Sequence, residues 1–181
     1  MAAWTLTKER TVPRRRARAV TLLSVTATIA FLAAIPQIAV ASPRQAPTGP
    51  IISGYKSAKC IDDLRDSAKN DTPAVIADCN GSAQQDWTIK TDGTIHINGK
   101  CLDIYREKKT NKAPVEIWTC TRRANQQWRA LNGTLVNPVS GKCLDDPRFN
   151  TTNGTQLMLY TCNGGVNQQW ELPSGAASYS G

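Results

Sequence analysis

Cysteine and tryptophan recur along this chain at one nearly fixed interval. Six cysteines form three pairs whose members are 19 residues apart: Cys60 and Cys79, Cys101 and Cys120, Cys143 and Cys162. A Gln-x-Trp triplet follows each pair and ends at Trp87, Trp128 and Trp170. Both motifs repeat after 41 and then 42 residues, so chance agreement is not credible. The interval indicates three copies of one unit, each too small to bury its own apolar side, that pack around a shared core.

The even number of cysteines predicts disulfides rather than free thiols in an exported chain. Many pairings are possible in principle, but a repeat should use the same pairing in every copy. The simplest such pairing is internal to each unit, and each bridge would contribute about 3 kcal/mol through loop closure. Zinc is the alternative use of clustered cysteines. No Cys-x-x-Cys is present and the chain has one His, so we expect no metal site and no cofactor.

The first 41 residues have the composition of a secretory signal peptide. A basic opening between Lys8 and Arg18 precedes the uncharged, mostly apolar run Val20–Val40, which ends at the small residues Ala39-Val40-Ala41. A membrane anchor is the alternative, but Thr and Ser residues and Pro36 interrupt the run, and a span needs about 20 consistently apolar residues. We therefore expect a secreted, extracellular protein that does not associate with membranes after cleavage.

The charge balance changes when the signal segment is set aside. The whole chain has 22 basic and 14 acidic residues, and residues 1–41 hold six of the basic ones and one acidic one. The remaining 16 basic and 13 acidic residues give a net charge of +3, spread along the chain. This charge does not indicate a nucleic-acid partner, which would require a concentrated basic patch. We expect a Pro-rich leader at 42–50, a folded domain at 51–173 and a flexible Gly/Ser/Ala tail at 174–181.

Short alternating segments separated by Xaa-Gly turns predict β-hairpins. Residues 88–90 and 94–97 flank Asp92-Gly93, and residues 128–131 and 134–136 flank Asn132-Gly133. The mature chain shows no sustained helical periodicity. We predict an all-β domain with about four strands per unit, in which three units share one core.

Each copy also contains a short sequence motif that is specific to one family. The first cysteine begins Cys-Ile-Asp or Cys-Leu-Asp, ending at Asp62, Asp103 and Asp145, and the Gln-x-Trp triplet is preceded by Asn in two copies. This pattern, repeated three times, resembles the ricin-type lectin domain. The resemblance covers roughly residues 51–173 and implies a β-trefoil with up to three shallow sugar sites, called alpha, beta and gamma in chain order.

The chemistry of such a site follows from the shape of a sugar. A carboxylate accepts charge-assisted hydrogen bonds from adjacent hydroxyls, an aromatic ring covers the C–H face, and an amide both donates and accepts. The resemblance assigns the Asp two residues after the first cysteine to the hydroxyls and the aromatic two before the second cysteine to stacking. The Asn before Gln-x-Trp would bind sugar, the first Gln would support the Asp, and a residue four before the second cysteine would assist.

The three copies retain this pattern unequally. The beta site would comprise Asp103, Glu116, Trp118, Asn125 and Gln126. The gamma site would comprise Asp145, Tyr160, Asn167 and Gln168, with Met158 in the assisting position. The alpha unit keeps Asp62 but has Val75, Ala77 and Gln84 in the other positions, so we expect it to bind poorly.

Structural roles compete with these assignments. We expect Trp87, Trp128 and Trp170 to be core residues, and Gln85 to satisfy backbone groups. The three aspartates could instead cap turns after the cysteines, and Trp118 and Tyr160 could belong to the core. Ala77 argues against a core role for the aromatics, since a shared core position would stay large. His96 has no counterpart in the other copies, and we assign it no function.

The sequence favours a non-catalytic function. Adjacent carboxylates such as Asp62-Asp63 and Asp145-Asp146 would point to opposite faces of a strand, whereas a glycosidase needs two converging carboxyls. One His does not support a catalytic triad. We predict a monomeric, secreted lectin for galactose-, xylan- or mannose-type glycans. The alternatives are a protein-binding trefoil, such as an inhibitor or toxin component, and a carbohydrate-binding module derived from a glycoside hydrolase.

Overall fold

The computed structural model describes residues 45–55 and 58–176, which form short strands joined by turns and single 3-10 turns. The strands of the first half are β1 (Thr48–Gly49), β2 (Ile52–Ser53), β3 (Lys59–Asp63), β4 (Thr72–Asp78), β5 (Trp87–Ile89), β6 (Ile95–Ile97) and β7 (Lys100–Ile104). The second half contains β8 (Val115–Thr119), β9 (Arg129–Leu131), β10 (Thr134–Asn137), β11 (Lys142–Asp145), β12 (Thr155–Gln156), β13 (Met158–Thr161) and β14 (Trp170–Glu171). The prediction of an all-β domain is confirmed.

The 3-10 turns recur at related places in the units. They cover Ala83–Gln85, Tyr105–Glu107, Ala124–Gln126, Pro147–Phe149 and Val166–Gln168. Three of them contain the first Gln of a Gln-x-Trp triplet. The other two directly follow β7 and, after one residue, β11.

All strand pairs are antiparallel, and they form two sheets. The larger sheet runs in the order β1-β5-β6-β7-β8-β4-β3-β2-β14, with β12 pairing β4, and the smaller runs β13-β11-β10-β9. The expected hairpins are present, because β5 pairs with β6 and β9 pairs with β10 across their Xaa-Gly turns. Each unit thus contributes four main strands, as predicted.

The three repeated tryptophans lie in the shared core and are at most 4% exposed. Each indole Nε1 donates to a backbone carbonyl one residue after the first cysteine of its unit. These bonds join Trp87 to Ile61 at 2.8 Å, Trp128 to Leu102 at 3.0 Å and Trp170 to Leu144 at 3.1 Å. A buried indole needs such a partner, and the core role predicted for these residues is confirmed.

The disulfides join the cysteines within each unit, as the repeat predicted. Cys60 is bonded to Cys79, Cys101 to Cys120 and Cys143 to Cys162, each with a Cα–Cα distance of 5.1 Å. Every bridge closes the strand pair that carries the repeated Asp on one strand and the stacking position on the other. The bridge therefore fixes the register of the strands that build each site.

Turn glycines connect one unit to the Gln-x-Trp triplet of the next. The carbonyl of Gly93 accepts from Trp128 N–H at 2.8 Å, and that of Gly133 accepts from Trp170 N–H at 2.7 Å. Both glycines have a φ of +81°, and a Cβ at Gly133 would lie 2.4 Å from Oε1 of Gln169. The backbone conformation favours glycine at both positions, and a Cβ there would displace the end of a Gln side chain.

The folded part of the chain begins before Ile51 and extends past Pro173. In the segment predicted as a loose leader, Thr48 pairs with Thr88 and Gly49 with Trp87. In the predicted tail, Ala176 is buried and its N–H donates to Pro173. Strand pairing and burial therefore extend a few residues beyond the expected bounds of 51–173, into segments whose composition resembles linkers.

The predicted signal segment at 1–41 and the last five residues lie outside the described part of the chain. Among the described residues, no helix has the length and apolar character needed to cross a membrane.

Candidate functional site

The beta unit brings four of the predicted site residues around one depression. Asp103 on β7 lies directly opposite Glu116 on β8, so both side chains lie on the same face of the pair. Trp118 follows on that face, two residues along β8 and opposite Cys101. Together with Asn125 these residues line a depression of about 340 Å³.

Asp103 is held by two amides that donate to the same carboxylate oxygen. Nδ2 of Asn125 and Nε2 of Gln126 lie 2.8 and 2.7 Å from Oδ2. Gln126 has no exposed surface, and its Oε1 accepts from the N–H groups of Thr121 and Arg122. Gln126 therefore positions Asp103 and cannot touch a ligand, whereas Asn125 lines the depression. Oδ1 of Asp103 accepts no hydrogen bond from the described part of the chain and is free for a ligand.

The gamma unit repeats this arrangement with two substitutions. Nδ2 of Asn167 and Nε2 of Gln168 donate to Oδ2 of Asp145 at 3.0 and 2.7 Å, and Gln168 is fully buried. Met158 lies opposite Asp145 in the position that Glu116 has in the beta unit. Tyr160 stands where Trp118 does. The depression is wider, at about 790 Å³.

The alpha unit keeps the support for its Asp but lacks the rest of the site. Gln85 donates to Oδ2 of Asp62 at 2.9 Å and is buried, as its structural role predicted. Asp62 lies opposite Val75, and Ala77 is in the stacking position. No ring covers the face on which a sugar would stack, so this unit offers an oriented carboxylate without a platform.

Burial raises the pKa of the site carboxylates. The pKa of Asp103 is raised to about 6, chiefly by burial, while the hydrogen bonds from Gln126 and Asn125 act in the opposite direction. Burial and the nearby carboxyls of Asp71 and Asp103 raise the pKa of Glu116 to about 7. The pKa of Asp145 is raised by burial, with no second carboxylate contributing. The beta site therefore concentrates acidic groups that the gamma site lacks.

A pair of left-handed residues after each repeated Asp forms a rim that the sequence analysis missed. The φ values are positive at 65 and 66, at 106 and 107, and at 148 and 149, none of which is glycine. Arg106 and Glu107 line the beta depression, and Arg148 and Phe149 line the gamma depression. The available signal was an Arg five residues after the first cysteine in every copy. Non-glycine residues in this conformation often occur at ligand sites.

Phe149 is the exposed aromatic wall of the gamma depression. Its side chain is 50% exposed, and the ring of Tyr55 meets it edge-on at a centroid distance of 5.5 Å. The Tyr55 hydroxyl also donates to the Phe149 carbonyl. The gamma unit therefore offers two aromatic surfaces, Tyr160 and Phe149, where the beta unit offers Trp118 and charged rim residues.

The second Asp of each adjacent pair turns away from the site. Asp63 and Asp146 are completely buried, and Asn98 donates to Oδ2 of Asp63 at 2.6 Å. Both carboxyl oxygens of Asp146 are buried, and the backbone of Asn150 is the hydrogen-bonding group that lowers its pKa. Burial and the charge of Asp145 raise the pKa of Asp146 to about 7. These pairs do not form converging catalytic carboxyls.

His96 lies against the beta disulfide. Its Nε2 is 3.4 Å from Sγ of Cys101, and His96, Cys101 and Cys120 are close enough to suggest a metal-binding triplet. The two sulfur atoms are bonded to each other in the disulfide and cannot act as thiolate ligands. This cluster is therefore not a metal site while the bridge is intact.

Comparisons with known proteins agree with this architecture. The family model described as "Ricin-type beta-trefoil lectin domain" matches residues 47–170. A search of curated proteins gave no match. Among solved structures, the designed three-fold symmetric protein ThreeFoil is 27% identical with a TM-score of 0.64, over 70% of this chain and 98% of that one.

Two plant proteins are also similar in structure. The agglutinin from Abrus precatorius is 25% identical with a TM-score of 0.65, over 76% of this chain and 52% of that one. A non-toxic homologue of type II RIPs from Momordica charantia, in complex with α-methyl-D-galactoside, is 24% identical with a TM-score of 0.65, over 75% of this chain and 50% of that one. This chain thus spans about half the length of the two plant chains.

Proposed function

Since this chain belongs to the ricin-type β-trefoil lectin family, we propose that it is a secreted lectin that binds glycans without catalysis at its beta and gamma depressions. One observation carries the proposal. In both units a carboxylate is fixed by two amides through one oxygen, and an aromatic ring lies on the same face. The free oxygen can accept from sugar hydroxyls while the ring covers the C–H face of the pyranose.

Glycans of the galactose type are the first candidates. The Momordica protein was solved with α-methyl-D-galactoside in complex, and xylan and mannose-type glycans are the further candidates. Each depression offers few polar contacts and one or two rings, so a single site should bind weakly. Two sites on one rigid domain can engage a polysaccharide together and gain avidity.

The absence of converging carboxyls supports a binding function over hydrolysis. Asp103 and Glu116 are close together, but they share one face of a strand pair and do not flank a bond from two sides. Asp145 has Met158 opposite, and its neighbour Asp146 is buried and does not line the depression. We assign this chain the role of binding, and any catalysis would belong to a partner domain or another protein.

Secretion and a monomeric state complete the proposal. The three disulfides suit an oxidising compartment, and the basic, apolar and small-residue order of 1–41 is typical of a cleaved signal. Determination of the mature N-terminus and size-exclusion chromatography of the secreted protein test these two points. A retained segment 1–41 would favour a membrane anchor.

A glycan array and polysaccharide pull-downs with the oxidised, secreted protein test the proposed function itself. We expect binding to a subset of glycans that the matching free sugar inhibits at millimolar concentration. Failure to bind any glycan with all disulfides intact would overturn the proposal and favour a protein-binding trefoil. A reduced, unfolded sample is the negative control.

A further inference from the structure

The beta and gamma depressions carry opposite charge although they derive from one repeat. The beta lining contains four acids and two arginines: Asp71, Asp103, Glu107, Glu116, Arg106 and Arg123. The gamma lining contains one acid, Asp145, and two cations, Lys112 and Arg148. At full ionisation the formal charges are therefore −2 and +1. The two sites therefore present different electrostatic environments to a charged sugar.

The cations of the beta depression do not neutralise its central acids. Nη1 of Arg123 lies 3.2 Å from Oε1 of Glu107, so this pair is satisfied at the rim. The guanidinium of Arg106 lies over the ring of Tyr105, 4.8 Å from its centroid. Arg106 influences Glu116 electrostatically but forms no ion pair with it among the described residues. A net negative field therefore remains around Asp103 and Glu116.

Glu116 is a buried carboxylate that lacks a donor. Its residue is only 4% exposed and it lines the depression, yet its side chain accepts no hydrogen bond from the described part of the chain. Asp103 lies opposite it, and Asp71 reaches the same depression from the turn before β4. Burial of an unpartnered carboxyl beside others is unfavourable. The carboxyl group of Glu116 opens onto the depression, where a ligand can supply a donor.

An ammonium group satisfies this arrangement better than a hydroxyl. It supplies three donors and a positive charge, whereas a hydroxyl supplies one donor and no charge. The second acceptor at the site is Oδ1 of Asp103, because both amides donate to Oδ2 of that carboxylate. Both features describe a site that is rich in acceptors and poor in donors.

We propose that the beta depression is selective for sugars with a free amino group, whose ammonium lies among Glu116, Asp103 and Asp71 while the ring stacks on Trp118. This inference rests on the proposed lectin function and names the ligand class of one site. The gamma depression excludes the same ligand, because Met158 replaces the accepting carboxylate and Lys112 and Arg148 repel a cation. A polysaccharide with free amines would therefore be held through the beta site alone.

Calorimetry with matched monosaccharide glycosides tests the selectivity. The methyl glycosides of glucosamine and N-acetylglucosamine differ at one nitrogen, and small probes avoid the general attraction between polyelectrolytes. The protein is the full secreted chain with Asp145→Ala, which leaves the beta site in isolation. At pH 7 and low salt we expect the amine to bind about tenfold more tightly than its acetylated partner, the worth of one charge-assisted hydrogen bond. The preference should shrink as salt screens the charges.

Charge-removing variants test whether the amine preference arises from the acids of the beta depression or from the charge of the protein as a whole. Glu116→Gln keeps the shape and should abolish most of the amine preference, and Asp71→Asn, at an exposed position, should reduce it without risk to the fold. Glu171→Gln, an exposed acid on β14 outside the depression, should leave the preference unchanged. Thermal unfolding confirms that each variant is folded.

Two outcomes overturn the inference while the lectin function stands. One is equal affinity for the two glycosides, and the other is an unchanged amine preference in Glu116→Gln and Asp71→Asn. An amine preference in Asp103→Ala, which isolates the gamma site, would likewise contradict it. If the isolated beta site bound neither these glycosides nor any neutral glycan, the proposed function itself would fail at that site.

Discussion

Gln126 holds Asp103 from inside the protein. Its Nε2 donates to Oδ2 of Asp103 at 2.7 Å and to the carbonyl of Thr119 at 3.0 Å, while its Oε1 accepts two backbone N–H groups. Gln168 and Gln85 likewise donate to Asp145 and Asp62 and to a backbone carbonyl, and the Oε1 of each accepts a backbone N–H. The first Gln of the Gln-x-Trp motif thus serves the fold and the site at once, because one amide ties the strand end to the ligand-facing carboxylate.

Gln126→Ala should weaken both stability and beta-site binding. It leaves the N–H groups of Thr121 and Arg122 without this acceptor, which costs about 1–3 kcal/mol of unfolding free energy, and it reduces the support of Oδ2 of Asp103 to the amide of Asn125. We expect beta-site affinity to fall about tenfold by calorimetry in an Asp145→Ala background. Gln84→Ala is the matched control. Gln84 is half-buried and lies next to Gln85, the alpha-unit counterpart of Gln126. Unchanged affinity in Gln126→Ala would refute the positioning role.

Asp103→Ala and Asp145→Ala should each reduce binding to an immobilised polysaccharide, and the double variant should abolish it. Each change removes the charged acceptor of one site, and the avidity of two sites is lost with the first. Surface plasmon resonance on the polysaccharide measures both effects. Asp62→Ala is the control and should change binding by less than about twofold, because its unit has no aromatic platform. Loss of binding in Asp62→Ala alone would reverse our ranking of the sites.

Sugar binding at the beta site should alter tryptophan fluorescence through one residue. Of the four tryptophans in the described part of the chain, Trp118 is half-buried and lines the depression, while the other three are buried. A titration should therefore shift the emission, and Trp118→Phe should remove that shift while the ring still stacks. Trp118→Ala should weaken beta-site binding by about tenfold, since an aromatic contact is worth roughly 0.5–1.5 kcal/mol beyond its burial. A binding-dependent shift that persists in Trp118→Phe would contradict this assignment.

Asp146 should make the protein less stable as the pH rises. Its pKa is raised from 3.8 to about 7 in the folded state by burial and by the charge of Asp145. The folded state therefore holds the proton more tightly, and this stabilisation is complete below about pH 3.8 and is lost as the pH rises through about 7. Asp146→Asn should raise the free energy of unfolding at pH 8 by about 1–3 kcal/mol.

Thermal melts of Asp146→Asn and of the parent protein between pH 5 and pH 8 measure this effect. The gain should be larger at pH 8 than at pH 5, because the parent carboxyl is protonated at the lower pH. Asp86→Asn, at an exposed position, is the control and should be neutral. A gain that is independent of pH would show that ionisation of Asp146 is not responsible.

Gly133→Ala should destabilise the junction between the second and third units. The φ of +81° is unfavourable for any side chain, and the new Cβ would displace Oε1 at the end of the Gln169 side chain. We expect a loss of about 2–3 kcal/mol in chemical denaturation. Gly141→Ala isolates the backbone effect, because its φ is +64° and nothing lies within 4 Å of a Cβ there. Equal losses in the two variants would show that the close approach to Gln169 is unimportant.

The repeat explains why so much of the fold could be predicted. The later cysteine pairs have the same spacing as Cys60 and Cys79, so one disulfide pairing was expected in all three units. Hairpin turns such as Asn132-Gly133 can be recognised from their local sequence. The domain ends could not be predicted in the same way. Thr48–Gly49 and Ala176 acquire their structure from strand partners and burial that are remote in sequence, and their local composition resembles a linker.

The sequence by itself determined the three units, their disulfides, their core tryptophans and the residue types available to each site, because these depend on spacing within one short unit. The tertiary structure decided which groups share a depression. It brought Asp71 from the turn before β4 beside Glu116 and set Phe149 against Tyr55, contacts between parts of the chain with no common sequence motif. It also decided that Gln126 lies behind Asp103 and not beside the ligand, since burial is a property of the packed units together. The tertiary structure therefore sets the charge of each site and, with it, the ligand that we propose for the site.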